Sequence, residues 1–206
     1  MLRGRPPVVA CALLVAVTTV GALAGGRPQA PDPRLVEAGA RLDAKLDRIL
    51  GFAGTSAPQP RLTRLLESEI NAYLSVQAVP MLPVGLTAPT VGIGDGGRVS
   101  AEAVVDLNKI REERARSWLD PLQFLAGRLP VTASGRVEAA NGYATLAVET
   151  VSIAGVAVPV SVLQELVAFY TRTTDHPSGT RLDEPIALPY GITELRLSPG
   201  RVTVVQ

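Results

Sequence analysis

Side chains able to act as acids, bases, nucleophiles or metal ligands are few and scattered along this chain. The single histidine, His176, lies in Thr174-Asp175-His176-Pro177, and one imidazole cannot build a multi-histidine metal site. A serine relay through His176 and Asp175 would require two adjacent side chains, which ordinarily diverge, to converge, and no Gly-x-Ser-x-Gly elbow presents a nucleophile. His176 therefore reads as a solvated loop residue. No acidic pattern has the spacing of a calcium loop. Glu67 and Glu69 stand two apart on a predicted helix and point in different directions, so they favour the helix start electrostatically and do not form an acid/base dyad. Gly92, Gly94, Gly96 and Gly97 would suit a phosphate loop, but no Gly-Lys-Ser/Thr follows and the next segment reads as a strand. They are turn glycines. The expectation is a protein that is not an enzyme and carries no cofactor and no metal.

One charged run, Arg111-Glu112-Glu113-Arg114-Ala115-Arg116, allows a Glu112–Arg116 pair on a solvated helical face, or arginine contacts to lipid headgroups. Trp118 just beyond it suits a core or an interfacial position. The chain has 206 residues, with 20 basic against 19 acidic. Such near-neutrality argues against a nucleic-acid partner, which needs a basic face.

The N-terminus has a character of its own. Arg3 and Arg5 precede an uncharged stretch, 8–26, that ends before Arg27, and Ala22-Leu23-Ala24 offers small residues for a signal peptidase. Residues 1–26 are expected to be a signal peptide or N-terminal membrane anchor. The protein is thus exported, to the periplasm or another extracytoplasmic space. Cys11, the only cysteine, precedes most of the apolar stretch, which excludes a lipoprotein lipid site. After cleavage no cysteine would remain, so stability must come from a packed core. That core is aliphatic, because 47% of residues are hydrophobic but only 4% aromatic.

Helical spacing sets out an amphipathic helix from Asp32-Pro33 to Gly51, carrying Leu35, Leu42, Leu46, Ile49 and Leu50 on one face. With its linker it makes a 27–61 unit ahead of a single domain, 62–206. A second helix is expected over 63–77, with Pro80 and Pro83 beyond it. The period then changes to two. Strands 86–93 and 99–107 flank Asp95-Gly96-Gly97, strands 131–138 and 143–153 flank Asn141-Gly142, and strands 191–197 and 201–205 flank Ser198-Pro199-Gly200. Ala154-Gly155 adds a bend. Between the last two hairpins, Ser161 and Gln164 suggest a capping box on a short apolar helix. Gly-Arg-Val recurs at Gly97, Gly135 and Gly200; each is read as a turn glycine, a solvated arginine and the first inward valine of a strand. The fold class is α+β, with antiparallel strands and helices set against them.

Three segments carry a resemblance. Glu67-Ser68-Glu69-Ile70-Asn71-Ala72-Tyr73-Leu74 is similar to a T-E-x-E-L-N-x-L helix start in secreted bacterial lipid-binding families, with Leu66 where those have a capping threonine. Gly155-Val156-Ala157-Val158-Pro159 is similar to their G-x-x-x-P segment. Leu188-Pro189-Tyr190-Gly191-Ile192, followed by Leu195 to Val202, resembles their terminal LPxGI hairpin. Over residues 62–206 the chain thus resembles the LmeA-type phospholipid-binding proteins and, more distantly, the tubular lipid-binding (TULIP) superfamily. The resemblance implies a long curved antiparallel sheet wrapped around one or two helices as a half-tube. It also implies phospholipid or another acyl-chain ligand in an apolar groove, with lipid acyl chains or a membrane surface as partner. Periodicity nominates Val91, Ile93, Val104, Leu107, Val148, Ile153, Leu163, Leu166, Val167 and Tyr170 as its lining. The alternative is an envelope scaffold or protein-interaction module, whose partner the sequence does not name, with a flat apolar patch in place of a groove.

Overall fold

The computed structural model describes residues 32–54, 59–109, 127–172, 178–179, 181–182 and 184–206. The export segment, the 111–116 run, Trp118, Asp175 and His176 lie outside the described residues, as do the side chains of Leu166 and Tyr170. Among the described residues no helix is long and apolar enough to cross a membrane.

Helix α1 (Pro33–Phe52) starts as its sequence requires: the Asp32 carboxylate accepts from the Arg34 N–H at 2.9 Å, and proline holds the first helical position. Leu42 and Ile49 are buried on its inner face, while Leu35 at its exposed first turn is not. The next expected helix is divided. Residues Leu62–Leu66 form strand β1 and only Glu67–Ser75 form helix α2. Within β1, Thr63 and Leu65 are buried and their neighbours exposed, a two-residue period too short to stand out beside the helical spacing of Leu66, Ile70 and Tyr73. Leu66 occupies the N-cap position where the resembled families place threonine. Its missing side-chain cap is offset by Glu69, whose carboxylate reaches back to the Leu66 N–H at 3.1 Å.

Strands β2 (Leu86–Ile93) and β3 (Arg98–Asp106) are joined through Asp95-Gly96-Gly97, and β4 (Arg128–Ala140) and β5 (Tyr143–Ile153) through Asn141-Gly142. A short β6 (Val156–Ala157) leads to helix α3 (Val160–Thr171), then β7 (Ile186–Ala187), β8 (Glu194–Ser198) and β9 (Arg201–Val205). The proposed capping box of α3 does not form. The helix begins two residues earlier, with Pro159 in place of Ser161 at its N-cap, and Gln164 instead accepts from the Leu182 N–H at 2.7 Å, tying the following loop to the helix. Gly97 and Gly200 do occupy turns, but Gly135 lies in the middle of β4, where the pairing with β5 shifts. There the Ala147 carbonyl oxygen lies 2.5 Å from where a Cβ would sit, so a close backbone approach, and not a turn, selects the glycine.

The strands form two antiparallel sheets. A six-stranded sheet runs β2-β3-β4-β5-β6, with β7 also paired to β5, and a three-stranded sheet runs β1-β9-β8. The terminal hairpin therefore belongs to a second sheet, closed by β1. The core gathers Leu42, Ile49, Leu65, Ile70, Ile93 and Val204 from α1, α2, the small sheet and the end of β2. It sits at one end of the large sheet.

Candidate functional site

The polar residues of the α2 segment divide by the side of the helix they occupy. Glu67 and Asn71, one turn apart, face the open edge of β2. Glu67 Oε2 accepts from the Ile93 N–H at 2.7 Å. Asn71 accepts from the Val91 N–H at 2.7 Å and donates to the Val91 carbonyl at 2.8 Å. Four helical residues rise about 6 Å and two strand residues about 6.6 Å, so the i, i+4 spacing on the helix matches the i, i+2 spacing on the strand. The Gly200 N–H takes the Ile93 carbonyl at 2.8 Å. An edge that could recruit another strand is thereby satisfied within the chain. Asn71→Ala would leave both Val91 groups without these partners, and a loss of about 2 kcal/mol in urea-unfolding stability is expected.

Glu69 points the other way, to α1, and is 4% exposed. Its carboxylate accepts from Lys45 Nζ at 2.5 Å and lies 3.6 Å from Arg41 Nε. Burial, the largest single influence, raises its pKa. The Lys45 and Leu66 hydrogen bonds and the charges of Lys45 and Arg41 together outweigh it and hold the group below its ordinary value. The two glutamates are structural fasteners, directed apart. This role exceeds the simple helix-start electrostatics expected of them.

What these fasteners hold is a sheet with two unlike faces. Register places Val99, Ala101, Ala103 and Val105 of β3 beside Leu129, Val131, Ala133, Gly135, Val137 and Ala139 of β4. Ala144, Leu146, Val148, Val151 and Ile153 of β5 continue that face, and Leu86, Val91 and Ile93 of β2 complete it. It contains no polar side chain. The opposite face carries Ser100, Glu102, Thr132, Ser134, Arg136 and Thr150, with Thr132–Ser152 and Ser134–Thr150 hydroxyl pairs at 2.5 and 2.6 Å. On the apolar face Ala101, Ala103, Ala133, Ala139, Gly135, Ile93 and Val151 supply the buried positions. Most bulkier members, including Leu129, Val131, Leu146, Val148 and Ile153, stay half-buried. None of the β3, β4 or β5 residues joins the core cluster.

Of the nominated residues, Val91, Ile93, Val148 and Ile153 share this face, although Ile93 is taken up by the core and Val91 packs against it. Val104 falls on the opposite face, beside Thr87 and Pro130, and Leu107 is buried just past the end of β3. Leu163 and Val167 are half-buried on α3, which packs against β5. A cleft of about 340 Å³ lies there, walled by Leu146, Ala147 and Val148 on one side and Val160, Ser161, Gln164, Arg181 and Leu182 on the other. A second, more polar cleft of about 450 Å³ surrounds Gly92, Ser100, Ser134 and Glu149. Sequence reasoning missed the alanines, whose small side chains barely register as apolar, and the even-to-odd change of inward positions along β5. Alternation from Val99 to Ala103, with Ser100 and Glu102 between the apolar positions, was the available signal. Among the described residues no cluster of three or more potential metal ligands occurs.

No protein-family model, curated protein or solved structure matches the chain. What the face can do follows from its own physics. An apolar surface outside the core, lined by aliphatic groups, can bury a hydrocarbon chain or the apolar surface of a partner.

Proposed function

We propose that this chain is a non-enzymatic cell-envelope protein that binds phospholipid, or another acyl-chain ligand, against the apolar face of its six-stranded sheet and serves in lipid transport. The observation that carries this reading is that uninterrupted face, most of whose bulky members stay half-buried and, on β3 to β5, outside the core cluster. Each acyl methylene removed from water there contributes about 0.8 kcal/mol, so a single chain binds without a polar anchor or a catalytic group. The cleft between β5 and α3 gives that chain a second wall. The LmeA-like and TULIP-like segments agree with this reading, and they bear on the scaffold: the Glu67 and Asn71 side chains of the shared motif fasten the sheet edge.

Native mass spectrometry after gentle extraction is expected to show copurified lipid on the protein. Val131→Trp, which places a bulky ring at a half-buried position of the face, is expected to remove that lipid while leaving the unfolding midpoint within a few degrees of the parent. A protein that is consistently empty and takes up no lipid from vesicles overturns the reading.

A further inference from the structure

We propose that the end of the six-stranded sheet opposite the core is a docking tip that enters the headgroup–acyl boundary of an anionic phospholipid bilayer. Side chains that water should disfavour gather there. Val79, Met81 and Val84 are 53%, 47% and 45% exposed on the segment that leads into β2, and Val156, which opens β6 just past the turn after β5, is 69% exposed. Pro80 and Pro83 shape the first turn, with Leu86 N–H bonded to the Pro83 carbonyl.

Strand register brings the two turns to the same end of the sheet. Leu86 opens β2 opposite Val105 near the end of β3, Arg128 opens β4 opposite Asp106, and Ile153 closes β5 opposite Val131 and Val156. Four strand spacings separate the two corners, about 19 Å. Among the described residues, the exposed Lys109 and Arg128 lie between them. Asp106, also at this end, turns its carboxylate to the N–H groups of Asn108 and Lys109, at 3.1 and 3.3 Å. The sequence carries no charged residue between Glu69 and Asp95.

Charge and shape select the partner. Apolar groups set apart on separate turns fit a fluid surface that closes around each of them, whereas a rigid protein would need matching pockets. Cations beside them complement anionic headgroups. Insertion of such groups reaches about 5–10 Å into the boundary region. The apolar face reaches this end through Leu86 and Ile153, so a docked protein would bring that face to the acyl layer. That purpose rests on the lipid-binding reading above; the docking itself does not.

The test uses the full chain with Cys11→Ser and an environment-sensitive fluorophore on Met81→Cys, compared with the same label on Thr145→Cys, an exposed position near the other end of β5. Vesicles of phosphatidylcholine containing phosphatidylglycerol are the probe. The Met81 label is expected to shift to the blue and to be quenched by brominated lipid, with the Thr145 label unchanged. Val79→Ser with Val84→Ser should reduce the response several-fold, and so should vesicles of phosphatidylcholine alone. A silent Met81 label, an equal response at Thr145, or a label already shielded from iodide before vesicles are added overturns the proposal. Lipid copurification is scored separately: an empty protein whose label still reports docking refutes the groove alone, and a lipid-loaded protein with a silent label refutes the tip alone.

Discussion

Glu69→Ala is expected to destabilise the protein by about 3 kcal/mol in urea unfolding at neutral pH, because it removes one half of a buried ion pair and leaves the other. Glu69 is 4% exposed, and its carboxylate accepts from Lys45 and from the Leu66 N–H that opens α2. Lys45 retains some access to water, with a side chain 24% exposed, which keeps the loss at the lower end of the range for such pairs. Glu69→Gln keeps an oxygen for the Leu66 N–H and should cost about half as much. The pH dependence has a definite sign. Since the folded state holds this pKa below the ordinary 4.5, the carboxylate's contribution is fully present above about 4.5 and is lost as pH falls through the lower folded value. The stability gap between the parent and Glu69→Gln should therefore be widest near neutrality and narrow below pH 4.5. A gap that stays constant or widens on acidification would show that the pair does not stabilise the fold through its charge.

The sequence disclosed those parts of the fold that local chemistry determines and obscured those that depend on distant partners. Asp32-Pro33 marked α1, Asn141-Gly142 marked the longest hairpin, and alternation delimited β2 residue for residue. Strand β1 was invisible because its five residues acquire strand character from β9, more than a hundred positions later. For the same reason the terminal hairpin could not be assigned to a second sheet. The Glu67–Glu69–Asn71 set was conspicuous, yet its purpose lies in the backbone of Val91 and Ile93 and the side chain of Lys45, which no local pattern announces. Within the candidate groove, large aliphatic residues were legible and alanines were not. Val104 was misplaced because an apolar residue on the solvent face of a strand has the same composition as one on the inner face.

The widest consequence from a single methyl group is expected at Gly135. A Cβ there would lie 2.5 Å from the Ala147 carbonyl oxygen and 3.2 Å from Val148 Cα, both backbone atoms with no rotamer to relieve the overlap. Gly135→Ala should cost about 3 kcal/mol. Gly200→Ala, also at a glycine but in a turn with φ of 70° and no atom within 4 Å of where its Cβ would sit, apart from its chain neighbours, should cost only about 1 kcal/mol from backbone preference. The larger consequence is positional. Inward residues along β5 are Ala144, Leu146 and Val148 on one side of the irregularity and Val151 and Ile153 on the other, a change of parity made possible because Glu149 is the extra residue opposite Ser134 and Gly135. Without that bulge, the alternation set by Ile153 and Val151 would bring Glu149, Ala147 and Thr145 inward and turn Val148 and Leu146 out. A carboxylate would then stand in the middle of the apolar face. The close approach at Gly135 is thus what keeps the face continuous, and Gly135→Ala is expected to lose copurified lipid under conditions where most of the protein remains folded. Retention of lipid by a folded Gly135→Ala protein would show either that the bulge survives the substitution or that the ligand does not lie against this part of β5; amide hydrogen exchange at Val148 and Glu149 separates the two.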